Sequence, residues 1–396
     1  MSSSPTSRRT LLSLYFSTMG TWAAYALVIV VLPFRFAALG LSVLEYGAVL
    51  AVYALGTLVT EGLWGYFAFR LGSSPAILLL GGLTATVMFA LILPVTFLGF
   101  AALLGLYGLL VVYSTPLIRW MGMTASGPGT ESRGLGRLSL FFGLGLSGGT
   151  ALGPVIYTVW GFQFDVMIAT VVFIVSTIPL ALLPWSSLSL PRATRSGRQP
   201  LASLFERGFV MAAIVVVLYF IAYSLVTNFL QYYSLGLFHG TIEEAGYTIA
   251  AARAAALVTG VLLGATIDRW GTGRAAPVGF ALLALGALGT ALSGSYSEMV
   301  LATMVLASGS GWLGVTLLPL ALARIPRAEQ GTAVGVFGSF EDLGLVLGPI
   351  LLGAVYSSFG AWFMFPVTAG IALSALVLSL LGWRMTGRPS ASGSAA

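Results

Sequence analysis

"SSLSLPRATRSGRQPLASLFER", residues 186–207, is the longest polar stretch in a chain that otherwise has almost none. On each side of it, six apolar runs of about 20 residues follow one another, separated by short polar or Gly/Pro-containing breaks. Each run is long enough to cross a hydrocarbon core of about 30 Å. The stretch therefore reads as a linker between two equal sets of membrane-spanning helices. The expectation is an all-α membrane protein of twelve transmembrane helices in two pseudo-symmetric halves, 1–186 and 208–396, joined by a cytoplasmic linker at 187–207.

Composition agrees. Of 396 residues, 58% are hydrophobic and 8% charged, against roughly 25% charged in a soluble domain. The predicted spans are 11–38, 43–70, 75–96, 98–124, 134–160, 164–186, 208–238, 243–269, 275–294, 297–324, 329–357 and 361–384. The apolar runs are continuous rather than alternating, which disfavours a β-barrel. Arg8 and Arg9 precede the first run as they would in a signal peptide, but the run is too long and eleven more follow, so it reads as a retained helix.

The net charge of +6 comes entirely from arginine, and position explains it better than a nucleic-acid partner does. Arg35, Arg119 and Arg253 aside, the arginines sit at breaks or at the adjoining ends of spans, on the side that also holds both termini. The opposite loops carry Glu45, Asp165, Glu243, Glu244 and Glu298. The positive-inside rule then puts both termini in the cytoplasm and the chain in the inner membrane. Cysteine is absent, and the one histidine, His239, is expected in an outer loop, so neither a disulfide framework nor a metal site is expected.

An internal repeat supports the division. Glu45, Gly47, Gly65 and Gly72 recur at an offset of 199 as Glu244, Gly246, Gly264 and Gly271. Gly143, Gly149, Gly153 and Pro154 recur at an offset of 195 as Gly338, Gly344, Gly348 and Pro349. The stretch "GATIDRWGTGR" (264–274) resembles the loop motif of the major facilitator superfamily through Gly264, Asp268, Arg269, Gly271 and Arg274. Its first-half equivalent, "GYFAFRLGSSP" (65–75), keeps Gly65, Arg70 and Gly72 but has Phe69 in place of the acid.

This resemblance covers essentially the whole chain. It implies two halves rocking about a central cavity, with spans 1, 4, 7 and 10 lining the cavity and spans 2, 5, 8 and 11 joining the halves. Transporters built from paired repeats of this kind hold their solute near the bilayer midplane, between the repeats. "GTALGP" (149–154) further resembles the Gly-Pro motif of drug/proton antiporters in that family, although close packing through small residues explains the stretch as well.

Charges within the spans are the functional candidates, since an ionisable group in hydrocarbon is costly. In "GVFGSFEDLGLVLGP" (335–349), residues placed at 100° per position put Val336, Phe340, Leu343, Leu347, Leu351 and Ala354 on one apolar face. Asp342 turns instead towards Gly331, Gly335 and Gly338, and Glu341 towards Gly344 and Gly348. Asp342, Glu341 and Glu61 are the proton-coupling candidates. Arg253 is expected to pair with an acid of span 11, and Arg119 to pair with Glu61 or reach the interface. Asn228, Gln231 and Tyr232 of span 7 fall on the cavity wall that the resemblance implies. For each of these residues, a role confined to helix packing is the alternative.

The leading functional expectation is a secondary transporter of a small organic solute. Neither an ATP-driven pump nor an enzyme is expected: no G-x-x-x-x-G-K-[ST] loop is present, and no catalytic cluster can be assembled from the spans. Proton-coupled export without a cofactor, by a monomer, is favoured. The alternatives are a uniporter or symporter for an organic anion using Arg253 or Arg119, and a transporter-derived receptor.

Overall fold

The computed structural model describes residues 8–71, 74–93, 96–115, 118, 131–183, 207–238, 240–322 and 330–385. Within them, twelve helices follow in order. They are α1 (Arg8–Ala38), α2 (Val43–Leu71), α3 (Ser74–Ala90), α4 (Phe97–Val111, extended by a 3-10 turn Val112–Ser114), α5 (Glu131–Trp160) and α6 (Phe162–Ala181). Then come α7 (Arg207–Ser224, a π segment Leu225–Phe229, and Leu230–Phe238), α8 (Ile242–Trp270), α9 (Thr272–Leu292), α10 (Tyr296–Leu322), α11 (Gln330–Phe359) and α12 (Met364–Met385, entered through a 3-10 turn Ala361–Phe363).

Eleven of these helices are long and apolar enough to cross a membrane; α3, with 17 residues, is shorter. Hydropathy predicts a third span reaching residue 96, but α3 stops at Ala90 and passes into turns in which Leu91, Ile92 and Leu93 donate to carbonyls three residues back. Pro94 in the sequence accounts for the early stop, because a proline has no N–H to bond the carbonyl four residues back, that of Ala90, and its ring crowds a helix there. The linker at 187–207 lies outside the described residues except for Arg207, which begins α7.

Local chemistry repeats along the chain. At the start of α2, the Ser42 amide and hydroxyl donate to Glu45 at 2.7 and 2.8 Å, and the Glu45 amide donates back to Ser42 Oγ. At the start of α8, Thr241 and Glu244 make the same reciprocal cap. The turn from α5 to α6 uses Gly161 at φ 85°, and the turn from α11 to α12 uses Gly360 at φ 86°. An L-residue with a Cβ is strained there, so glycine is required at both.

Packing pairs repeat too. α1 lies against α5 and α6, α2 against α4, and α3 against α4 and α6. In the same way α7 lies against α11 and α12, α8 against α10, and α9 against α10 and α12. Two further contacts join these sets, α2 with α11 and α5 with α8. Glycine makes both close: a Cβ on Gly47 would strike the carbonyl of Pro349, and one on Gly246 would strike the ring of Pro154. Lipid tails are as apolar as leucine, so such small-residue approach takes the place of the hydrophobic effect between spans.

One buried apolar cluster runs through α1 to α6 and takes in Leu225–Tyr233 of α7, Ala245–Ala252 of α8, Met299–Ala307 of α10 and Phe365 of α12. These all belong to the end of the later helices that is remote from the chain termini. At the opposite end, α7 and α9–α12 form a separate cluster around Val216, Phe280, Leu313 and Phe337. The two sets are thus fused by apolar packing at the far end.

Candidate functional site

The interior between the two sets holds aromatic rings and the buried charged residues Arg253 and Asp342. Tyr53 and Thr57 fall about 20° to either side of Tyr46 on α2, so the three form one stripe about 40° wide. At the far end of this stripe Tyr46 packs edge-on against Phe36 of α1 at 5.5 Å and against Phe229 and Tyr232 of α7 at 5.9 and 5.7 Å. Tyr232 continues to Tyr356 of α11 at 5.6 Å, and its hydroxyl donates to the Pro33 carbonyl at 3.5 Å. Rings from α1, α2, α7 and α11 therefore close the far end.

Below this plug, Tyr25 of α1, Tyr53 of α2 and Tyr107 of α4 form a stacked column, with centroids 5.7 and 6.0 Å apart and planes inclined by 27° and 23°. Trp22 sits 5.5 Å from Tyr25 and 4.5 Å from Phe142 of α5. Tyr25 and Tyr107 also line a small apolar space with Val28, Met88 and Leu104.

Arg253 is buried on α8. Its Nη1 donates to the Thr150 hydroxyl and, at 3.4 Å, to the Leu146 carbonyl, both on α5. The phenols of Tyr223, Tyr25 and Tyr46 stand within electrostatic range of the guanidinium. Asp342 is buried on α11, and its Oδ1 accepts from the hydroxyl of Thr57 on α2 at 3.4 Å. The expected Arg253–Asp342 pair is therefore not formed: the arginine reaches across to α5 and the acid across to α2. Depth supplies the reason. Counted along the helices, Arg253 lies about 16 Å from the far end of α8 and Asp342 about 25 Å from that of α11, so the two are offset along the membrane normal.

The other candidates separate. Glu341 is half-buried and near Tyr219 of α7, on the same side of α11 as Gly344 and Gly348, which press on Phe220 and Ser224. Asn228 lies in the π segment, and Gln231 is fully enclosed one turn later, with neither end of its amide bonded among the described residues. Arg119 and His239 lie outside the described residues, as do the side chains of Glu61, Asp268 and Arg269 and the surroundings of Gly264. Gly271, at φ 80°, makes the turn from α8 to α9, and Arg274 is exposed beyond it.

Two features escape a reading of the sequence. The π segment in α7 is invisible to hydropathy, which responds to side chains and not to backbone register. Asp165, expected in a solvated loop, is fully buried in the first turn of α6, with neither carboxylate oxygen bonded among the described residues. The expected span, 164–186, already contains Asp165 near its outer end; α6 starts two residues earlier, at Phe162 after the Gly161 turn, so Asp165 stands inside the first turn.

Comparison with known proteins places this geometry in a family. The chain is 23% identical over 379 residues to mouse "Solute carrier family 22 member 18", covering 89% of each. It is 27% identical over 330 residues to the "Probable nitrate/nitrite transporter NarK2" of Mycobacterium tuberculosis, covering 77% of each. Among solved structures, a POT family transporter in complex with 5-aminolevulinic acid superposes with a TM-score of 0.80 at 13% identity, over 96% of this chain and 97% of that one. A bacterial homolog of the human lysosomal transporter Spinster, in an inward-facing and occupied conformation, gives 0.78 at 14% identity over 99% and 100%. The family profile matches residues 14–349 and again 212–395, the second match beginning near the start of α7. With its apolar helices and these relatives, the protein is a multi-pass membrane transporter rather than an enzyme, and the chain belongs to the Major Facilitator Superfamily.

Proposed function

We propose that the protein is a secondary transporter of a small organic solute, working by alternating access between two six-helix halves, with proton movement coupled through Asp342. The recurring helix contacts and paired caps support the two halves, and the α2–α11 and α5–α8 contacts are where they meet. The arginine distribution supports an inner-membrane position with cytoplasmic termini. A monomer holds both halves and so suffices for the cycle.

The observation that carries the coupling is the place of Asp342, buried on α11 and within reach of Thr57 across the contact between halves. Rocking that separates α2 from α11 changes the surroundings of this carboxyl, and with them its affinity for a proton. Glu341, turned towards α7 within one half, keeps its neighbours during such a motion. The Gly149–Pro154 stretch packs closely against α1 and α8.

The test is flux in proteoliposomes under an imposed proton gradient, in both orientations, against cationic, neutral and anionic solutes. Asp342→Asn, which keeps the shape and loses the titratable charge, should abolish gradient-driven accumulation while leaving equilibrating exchange. Gradient-driven accumulation at the unaltered rate, at equal protein content, would remove Asp342 from the coupling role.

A further inference from the structure

Arg253 has a chemical surplus. Its two hydrogen-bond partners, the Thr150 hydroxyl and the Leu146 carbonyl, are neutral, and its Nε is buried with no partner among the described residues. The acids of the second half are directed elsewhere: Asp342, offset in depth, to Thr57, Glu341 to the region of Tyr219, and Glu244 to the Thr241 cap at the far end of α8. A fixed guanidinium held in low dielectric, with no carboxylate bonded to it among the described residues, calls for an anion.

The neighbouring polar groups point the same way. The Tyr46 hydroxyl, and on α5 the Ser147 hydroxyl one turn before Thr150, are buried and have no partner among the described residues. A guanidinium only donates, and hydroxyl groups are free to donate. The inventory therefore favours a ligand rich in acceptors. Beside it stands the column Tyr25–Tyr53–Tyr107, with Trp22 against Tyr25, offering flat apolar surface next to the charge. Tyr25 belongs to both features, lying near Arg253 and within the column.

We propose that Arg253, held in place by Thr150 and joined by the Tyr46 hydroxyl, forms the anion-binding end of the solute site, that the tyrosine column takes the body of the solute, and that the substrate class is the planar aromatic monocarboxylate. This deepens the transporter reading and rests on it. Arginine's planar fork matches a carboxylate in two hydrogen bonds, while the ring of the same molecule gains by offset stacking on tyrosine.

The test is binding to the purified full-length protein in detergent, by titration calorimetry and by ligand-dependent thermal shift. The probes are 2-naphthoate, its neutral amide, octanoate, sodium nitrate and 2-naphthylmethylamine. The expected result is tightest binding of 2-naphthoate, with the amide and octanoate each weaker by at least tenfold and the amine weakest. In Arg253→Gln the preference for the acid over the amide should fall to within twofold, and in Tyr53→Leu the preference over octanoate should fall likewise. Arg253→Lys, which keeps the charge and loses the fork, serves if the glutamine variant does not fold, and should retain less than a tenth of the affinity for 2-naphthoate. Equal binding of acid and amide, tightest binding of the amine, or no binding of 2-naphthoate overturns the proposal. Nitrate binding as tightly as 2-naphthoate overturns the aromatic part of it. Binding of 2-naphthoate without proton-driven flux leaves this inference standing and removes the coupling, whereas proton-driven flux of cations alone does the reverse.

Discussion

Arg253 and Asp342 illustrate how far single residues can be read in advance. Both are legible in the sequence as buried functional candidates, because a charge inside an apolar run stands out and helical spacing turns each towards small residues rather than lipid. Their partners are not legible. Depth counted from predicted helix ends assumes equal overhang at each surface, and α8 and α11, with 29 and 30 residues, are both longer than a bilayer core needs, so length alone does not fix which stretch of each lies within it. Because the two side chains reach different helices, Arg253→Ala and Asp342→Asn should have additive effects on stability, to within about 0.5 kcal/mol in a double-mutant cycle. Coupling well above that would mean the charges meet. Asp165 gives a second residue-level prediction. At the repeat offset of 199 it corresponds to Met364, which is also fully buried. Asp165→Met should therefore raise stability by about 1–3 kcal/mol, since it replaces a buried carboxyl that makes no hydrogen bond among the described residues. Thermal unfolding in detergent measures it, and a fall in stability would show that the carboxyl has a favourable partner.

At the scale of elements, the helix count is legible for a physical reason: a span must satisfy its backbone internally, so a membrane chain announces each helix as a long apolar run. Breaks in the hydrogen-bond register leave no such mark. The π segment Leu225–Phe229 widens α7 beside Asn228, Gln231 and the Tyr232 plug, and insertions of this kind commonly sit at functional sites. Removing one residue from it, for example by deleting Val226, should restore regular α-helix while leaving the residues beyond it facing nearly the same way, because four residues at about 100° complete about the same turn as five in the wider segment. What is lost is the widening of α7 at Asn228, next to the contacts of Tyr232 with Tyr46 and Tyr356. The expected outcome is normal membrane insertion with transport reduced at least tenfold; unchanged transport would show that the segment only relieves local packing.

For the whole molecule, the far end is closed by apolar packing and aromatic contacts, and the chain contains no cysteine that would complicate a cross-link. Gly353 of α11 faces α2 so closely that a Cβ there would lie 3.4 Å from the Leu44 Cα, which keeps the two Cα atoms within about 5 Å, inside the Cα–Cα range of a disulfide. Leu44→Cys combined with Gly353→Cys should lock this end under oxidation and stop transport, and reductant should restore it. Flux that persists in the oxidised double variant would show that the cycle does not need these helices to part. The contacts that join the halves also impose a leverage. Gly47 and Gly246 each stand four residues from the far start of their helices, so a pivot there has an arm of about 6 Å on one side and about 36 Å on the other. A rigid rotation that parts the near ends by about 12 Å would part the far ends by only about 2 Å. Opening the far mouth wide enough for an organic molecule thus demands bending as well as rotation, and Pro154 and Pro349, sitting at the pivots themselves, are where these long helices are weakest against it.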